Sequence, residues 1–202
     1  MVTRPRVVFL PGAGGDARFW WPVARLLPPD WEMVRLDWPG LGDQPHDPSI
    51  RGMDDLVSLV EAALAGPSDL VAQSMGGVVA LRVAAKHPDK VRRLVLAATS
   101  GGIEIDRHRA EDWRAEYQAE YPNASSWITE PPADQSAAIA TIDAPTLLLW
   151  GGADPISPVS VGTELARLLR NARLRVIDGA SHTFAGELPE LVAPLIAAHL
   201  AR

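Results

Sequence analysis

Residues 69–87 read DLVAQSMGGVVALRVAAKH, and the change of texture inside this stretch decides the fold. Residues 69–73 are a short apolar run of the kind that fills a buried strand. Residues 75–87 then read as a helix, which Pro88 stops. Ser74 alone separates the two. A chain that leaves a strand and enters a helix across one residue makes a tight turn, and its neighbours two before and two after must be small. Ala72 and Gly76 meet that demand. Serine is also a favoured helix N-cap, so Ser74 has a purely structural alternative.

The same alternation continues on both sides. Residues 6–10 (RVVFL), 32–36 (EMVRL), 91–98 (VRRLVLAA), 145–150 (PTLLLW) and 173–177 (RLRVI) read as strands. Residues 16–27, 53–64, 158–169 and 188–200 read as helices, several of them bounded by proline or glycine. Strands alternating with helices predict an α/β fold with a mostly parallel sheet covered on both faces. Ligands in such folds sit beyond the carboxyl ends of the strands. Residues 100–141 break the pattern: they lack a strong strand, are dense in charge and in Trp and Tyr, and contain Pro122 and Pro131-Pro132. They are expected to form a short cap insertion of small helices and loops within one domain spanning residues 1–202.

Composition narrows the function. The formal net charge is −6 with both signs scattered, so the basic footprint of a nucleic-acid binder is missing. Cysteine is absent, which removes disulfides, thiolate metal sites and a Cys nucleophile together. The apolar run at residues 7–10 is too short for a signal-peptide core, and no stretch approaches the roughly 18 apolar residues of a membrane span. A cytoplasmic protein without a membrane partner is expected; oligomeric state is not legible.

The chemistry gathers at strand ends. The Met75 amide falls in the first turn of a helix, where unpaired N–H groups point outward and can meet an oxyanion. A second donor is expected from Pro11-Gly12-Ala13-Gly14-Gly15 after the first strand, with the Ala13 amide best placed. A phosphate loop is the competing explanation, but neither the P-loop ending nor G-x-G-x-x-G is present. Asp154 follows the fifth strand in a Gly-rich turn, and His182 follows the sixth. The order Ser, Asp, His is the one this architecture uses. In such a triad the histidine takes the serine proton and the acid fixes the imidazole tautomer. Glu104 and Asp106 are rival acids just beyond the fourth strand. His46, His87, His108 and His199 read as solvated, and Asp37 and Asp43 as fixing the turn around Trp38-Pro39-Gly40. No metal spacing such as H-E-x-x-H occurs, and no cofactor is implied.

Along nearly its whole length the chain resembles the α/β-hydrolases, through VVFLPGAGG, DWPGLGDQ, AQSMGG, LLLWGGADPISP and GASHTF. The resemblance implies oxyanion loop, structural turn, nucleophile, acid and base at those positions in turn. Two departures stand out: the family usually has His-Gly in the oxyanion loop and Gly-His (or Gly and another residue) before the serine, where this chain has Pro11-Gly12 and Ala72-Gln73. The opening AGGDARFWWPVARLLPPDWEMVRLDWPGLGD is also partly similar to type II thioesterases of carrier-protein assembly lines.

A serine hydrolase of small ester or thioester substrates is therefore expected, working through an acyl-enzyme on Ser74. A lyase-like enzyme on the same triad and a non-catalytic binding protein are the alternatives. Trp20 and Trp150 are expected in the core. Trp113, Tyr117 and Trp127 of the insertion are expected to roof an acyl pocket, and so short a roof should favour short or medium acyl groups.

Overall fold

A computed structural model describes residues 5–131 and 133–202. Met1 to Arg4, part of the N-terminal segment read for targeting, and Pro132 of the insertion lie outside the described residues. Six strands, β1 (Arg6–Leu10), β2 (Glu32–Arg35), β3 (Ser68–Gln73), β4 (Val91–Ala97), β5 (Thr146–Gly151) and β6 (Ala172–Ile177), form one sheet in the order β2-β1-β3-β4-β5-β6. Every neighbouring pair is parallel. All the carboxyl ends therefore face one edge, and the loops that leave it carry the candidate site.

Alternate residues along a strand point to opposite faces, and both faces here are covered. Val8, Leu10, Leu70, Ala72, Leu94, Leu96, Leu148 and Trp150 share one cluster with Leu56, Val79 and Leu165 of α2 (Met53–Ala63), α3 (Met75–Lys86) and α6 (Val159–Leu168). Val7, Phe9, Val71, Val95, Leu147 and Leu149 share the other with Val23, Phe184 and Val192. These belong to α1 (Trp21–Ala24), α7 (Phe184–Glu187) and α8 (Pro189–Leu200). Burial on both faces explains the apolar centres of β3 and β5, in which every residue is buried, including the polar Ser68, Asp69 and Gln73 at the ends of β3. Trp20, Trp38 and Trp150 are fully buried. Each also places its indole N–H on a backbone carbonyl, of Leu10, Pro11 and Ser157 respectively.

The helix expected over 16–27 is shorter than its periodicity implies. A 3₁₀ turn at Ala17–Trp20 is followed by the single turn of α1. Pro22 has no N–H to return to the turn before it, so one continuous helix cannot pass through. The insertion holds two 3₁₀ turns, Asp106–His108 and Ser126–Thr129, and two short helices, α4 (Arg114–Glu120) and α5 (Ser136–Ile139). It is tied to the body at several points. The Gln135 amide group donates to Gly101 O at 3.0 Å and accepts from Arg82 Nε at 3.0 Å. The Ser125 amide donates to Gly40 O at 2.8 Å. Among the described residues no helix is long and apolar enough to cross a membrane.

Candidate active site

Ser74 sits between β3 and α3 with φ 50° and ψ −123°, a conformation that few non-glycine residues adopt. The turn holds it there. Its amide donates to Ala97 O at 2.9 Å, and its carbonyl accepts from Gly77 N at 2.9 Å. Gly76 is required: a Cβ at that position would lie 2.4 Å from Pro11 O. The helix start is thus pressed against the loop after β1, which brings serine and loop together.

His182 Nε2 lies 3.0 Å from Ser74 Oγ, and His182 Nδ1 lies 2.8 Å from Asp154 Oδ2. The second oxygen of Asp154 accepts the amides of Ile156 and Ser157, each at 2.9 Å. The Asp154 side chain is fully buried, whereas that of His182 keeps 15% of its surface. Two amides and one imidazole nitrogen therefore satisfy this buried carboxyl group and hold it in place. The turn that presents it is closed around glycine, since a Cβ at Gly151 would meet Ser181 O at 2.3 Å. Glu104 and Asp106, the rival acids, lie instead along the wall of the adjoining cavity.

The loop after β1 is fixed through its carbonyls. Leu10 O accepts Trp20 Nε1 at 2.9 Å, and Pro11 O accepts Trp38 Nε1 at 2.8 Å. Gly12 O accepts Gly15 N at 3.1 Å, and Gly15 O accepts Trp38 N at 2.8 Å. Among the described residues the amides of Ala13 and Met75 make no hydrogen bond, which leaves both available as donors. Gln73, whose position before the serine departs from the family pattern, is buried and packs beside Gly12. Its Nε2 reaches toward His182 O at a long 3.4 Å.

Above Ser74 and His182 opens a cavity of about 860 Å³. Trp113 and Tyr117 line it, as do Tyr121 and Ile128. Trp127 does not. Trp127 is partly buried and packs against the core without lining the cavity, which corrects the place expected for it; its neighbour Ile128, buried in the same core cluster, does line the cavity. Burial raises the Tyr117 phenol above its ordinary range, and the neighbouring Glu120 helps push Tyr121 up to about 12, so both stay protonated near neutrality.

The remaining histidines are structural, and only His46 is exposed as expected for all four. His87 pairs with Glu61 at 2.9 Å and His108 with Glu164 at 2.8 Å. His199, half-buried, contacts Pro145 O, and its burial lowers its pKa. Among the described residues Asp37 makes no side-chain bond within the turn that follows it; it ties the loop after β2 to the start of the 3₁₀ turn Ala17–Trp20 by accepting the Ala17 amide at 2.7 Å. Among the described residues no group of three or more His, Asp or Glu side chains is arranged to hold a metal ion.

A family model described as alpha/beta hydrolase fold matches residues 5–123, and a second, described as TAP-like protein, matches residues 111–201. The chain belongs to the alpha/beta hydrolase fold family. It is similar to a pimeloyl-acyl-carrier-protein methyl ester esterase of Neisseria meningitidis serogroup B, at 29% identity over 88% of this chain and 85% of the relative. It is also similar to a poly(3-hydroxyalkanoate) depolymerase of Ectopseudomonas oleovorans, at 26% identity over 92% of this chain and 80% of the relative. Among solved structures, a thermophilic esterase from Thermogutta terrifontis superposes with a TM-score of 0.77 at 25% identity, covering 98% of this chain and 90% of that one.

Proposed function

We propose that this protein hydrolyses carboxylic esters by way of an acyl-enzyme on Ser74. The observation that carries the proposal is the unbroken series Ser74 Oγ, His182, Asp154, with contacts of 3.0 and 2.8 Å, at the floor of an apolar-walled cavity. Ser74 Oγ attacks the ester carbonyl carbon while His182 Nε2 takes its proton. The negative charge that develops on the carbonyl oxygen is met by the amides of Ala13 and Met75. Collapse of the tetrahedral intermediate breaks the bond to the alkoxy oxygen, and His182 returns the proton to the departing alcohol. Water then repeats the sequence on the acyl-enzyme, His182 again serving as base, and the carboxylic acid is released. Ester and water give acid and alcohol, with no cofactor required. The named relatives include an ester esterase, a depolymerase and an esterase of known structure, and they support ester hydrolysis as the reaction.

The mouth of the cavity narrows the substrate. Glu104, Asp106, Glu116, Glu120, Glu130 and Asp134 line it, and the guanidinium there, Arg114, is already paired with Asp112 at 2.9 Å. Such a field opposes leaving groups that carry phosphate or carboxylate. Uncharged esters, and thioesters of uncharged thiols, are therefore the substrates; thioesters of phosphorylated carriers are poor ones. At about 860 Å³ the cavity is within the range of sites for drug-sized ligands, wide enough for a medium acyl chain. The test is a panel of esters and thioesters with a common acyl group and neutral or anionic leaving groups, run at low and high salt with Ser74→Ala as blank. Turnover of the neutral members, with anionic members rising toward them as salt increases, is expected. No ester turnover above the blank would overturn the assignment.

A further inference from the structure

The Tyr117 hydroxyl is the point where the cap insertion touches the oxyanion loop. It donates to Ala13 O at 2.9 Å and accepts from Gly42 N at 2.9 Å. One oxygen thereby joins three segments distant in sequence: α4 of the cap, the loop after β1 and the turn after β2. The two loops already touch, since a Cβ on Gly42, at φ +54°, would lie 2.1 Å from Gly14 O. The hydroxyl is held in turn by its ring. Tyr117 is 8% exposed and packs edge-on to Trp113 at 5.4 Å and tilted against Tyr121 at 5.1 Å.

Leu10, Pro11 and Gly12 are tied through their carbonyls by Trp20, Trp38 and Gly15, all within the body of the fold. Ala13 is the next residue, and the tie on its carbonyl comes from the cap. The Ala13 N–H lies in the Gly12–Ala13 peptide, whose carbonyl accepts Gly15 N at 3.1 Å, and the Tyr117 hydroxyl holds the next peptide, Ala13–Gly14, the middle one of that turn, so the two bonds together restrain the loop on both sides of the Ala13 Cα. Without the hydroxyl, Ala13 O would need a new donor, and the Ala13–Gly14 peptide would be free to turn. An oxyanion donor works because it is fixed before charge develops, so a donor that must be reoriented gives up part of its effect.

We propose that Tyr117 is a positioning residue that sets the Ala13 amide for the transition state, which makes the cap a working part of the oxyanion hole as well as a cover. The proposal rests on the ester-hydrolase reading above. Tyr117→Phe removes one oxygen and keeps the ring, so the packing with Trp113 and Tyr121 survives. On a neutral ester, kcat is expected to fall about ten-fold or more, short of the 10²–10³ typical for outright loss of a donor, with KM within about two-fold. Affinity for a trifluoromethyl ketone, which forms a tetrahedral adduct on serine, should fall in parallel. Affinity for an unreactive amide of the same acyl group should not. Labelling of wild-type Ser74 by a fluorophosphonate reads the ester-hydrolase assignment separately: if Ser74 is unlabelled, that assignment fails. If it is labelled and Tyr117→Phe keeps wild-type kcat and ketone affinity, or loses ketone and amide affinity equally, Tyr117 is only packing or only pocket wall. A lower melting temperature with unchanged kcat likewise reduces Tyr117 to packing and overturns the proposal.

Discussion

Asp154 and His182 come from different strand ends, yet Asp154 Oδ2 lies 2.8 Å from His182 Nδ1 while its other oxygen secures its own loop. The two jobs are divided between the two oxygens. Asp154→Asn separates them, because the amide oxygen can still accept from Ile156 and Ser157 while the NH₂ group faces the imidazole. The histidine is then held in the wrong tautomer. We expect kcat to fall by as much as ~10⁴ with an unchanged circular-dichroism spectrum. Steady-state kinetics of purified Asp154→Asn check this, and near-native turnover would show that the acid lies elsewhere.

Ser74 is expected to be the one serine a fluorophosphonate labels, since its Oγ is hydrogen-bonded to an imidazole that is itself held by a carboxylate. Mass spectrometry of the labelled peptide should find one adduct, on Ser74. Ser74→Ala should remove it, and His182→Ala should slow it by orders of magnitude. Full labelling of Ser74→Ala would move the nucleophile to another residue.

With its backbone amide as the proposed second donor, the side chain of Ala13 should hardly matter. Ala13→Gly is expected to stay active, while Ala13→Pro deletes the N–H and should cost about 10²–10³ in kcat. A melting curve must accompany the assay because proline also restricts the loop. A folded Ala13→Pro variant with wild-type kcat would place the second donor elsewhere.

Acyl-chain preference should depend on Trp113 and not on Trp127, since both pack against the core but only Trp113 also lines the cavity. Each buried methylene adds at most about 0.8 kcal/mol, so kcat/KM should climb with chain length and then fall once the cavity is filled. Trp113→Ala should flatten the profile or move its maximum to longer chains, and Trp127→Phe should leave the maximum in place. A profile that responds to Trp127 alone would mean that the cap packs differently over the site.

The parts of the fold that depend on local pattern are legible in the chain, and the parts that depend on distant contacts are not. All six strands fall within a residue or so of where apolar residues and turn residues place them; the four inner strands are largely buried, while the edge strands β2 and β6 mix apolar and charged residues. Ser74, Asp154 and His182 stand out because each lies in a turn after its own strand, in the order Ser, Asp, His. The helix over 16–27 reads too long because helical spacing persists across Pro22, whose missing N–H divides the segment. Trp127 falls off the cavity wall, against expectation, because a single 3₁₀ turn gives no period from which to read a face. The role of the Tyr117 hydroxyl leaves no trace in the chain. Its partners Ala13 and Gly42 offer a carbonyl and an amide, groups that nearly every residue has, and nothing in the sequence marks them. The Asp154 loop carries a weaker clue, since a carboxylate accepting amides two and three residues on is a common turn device.

Gly12 and Gln73 meet so closely that neither can drift alone. A Cβ on residue 12 would stand 2.3 Å from Gln73 Oε1 and 3.2 Å from Ser74 Cβ, so any side chain there must displace Gln73 or Ser74. The departure from the family at position 73 is thus conditional on glycine at position 12. A mutational library built on this enzyme should show it as epistasis. Alanine at 12 is expected to be deleterious beside Gln73 and milder beside a smaller residue, though the contact with Ser74 Cβ sets a floor on that relief. Variation at 73, by contrast, should be tolerated while Gly12 stays, which makes residue 73 the position next to Ser74 from which new specificity can be selected.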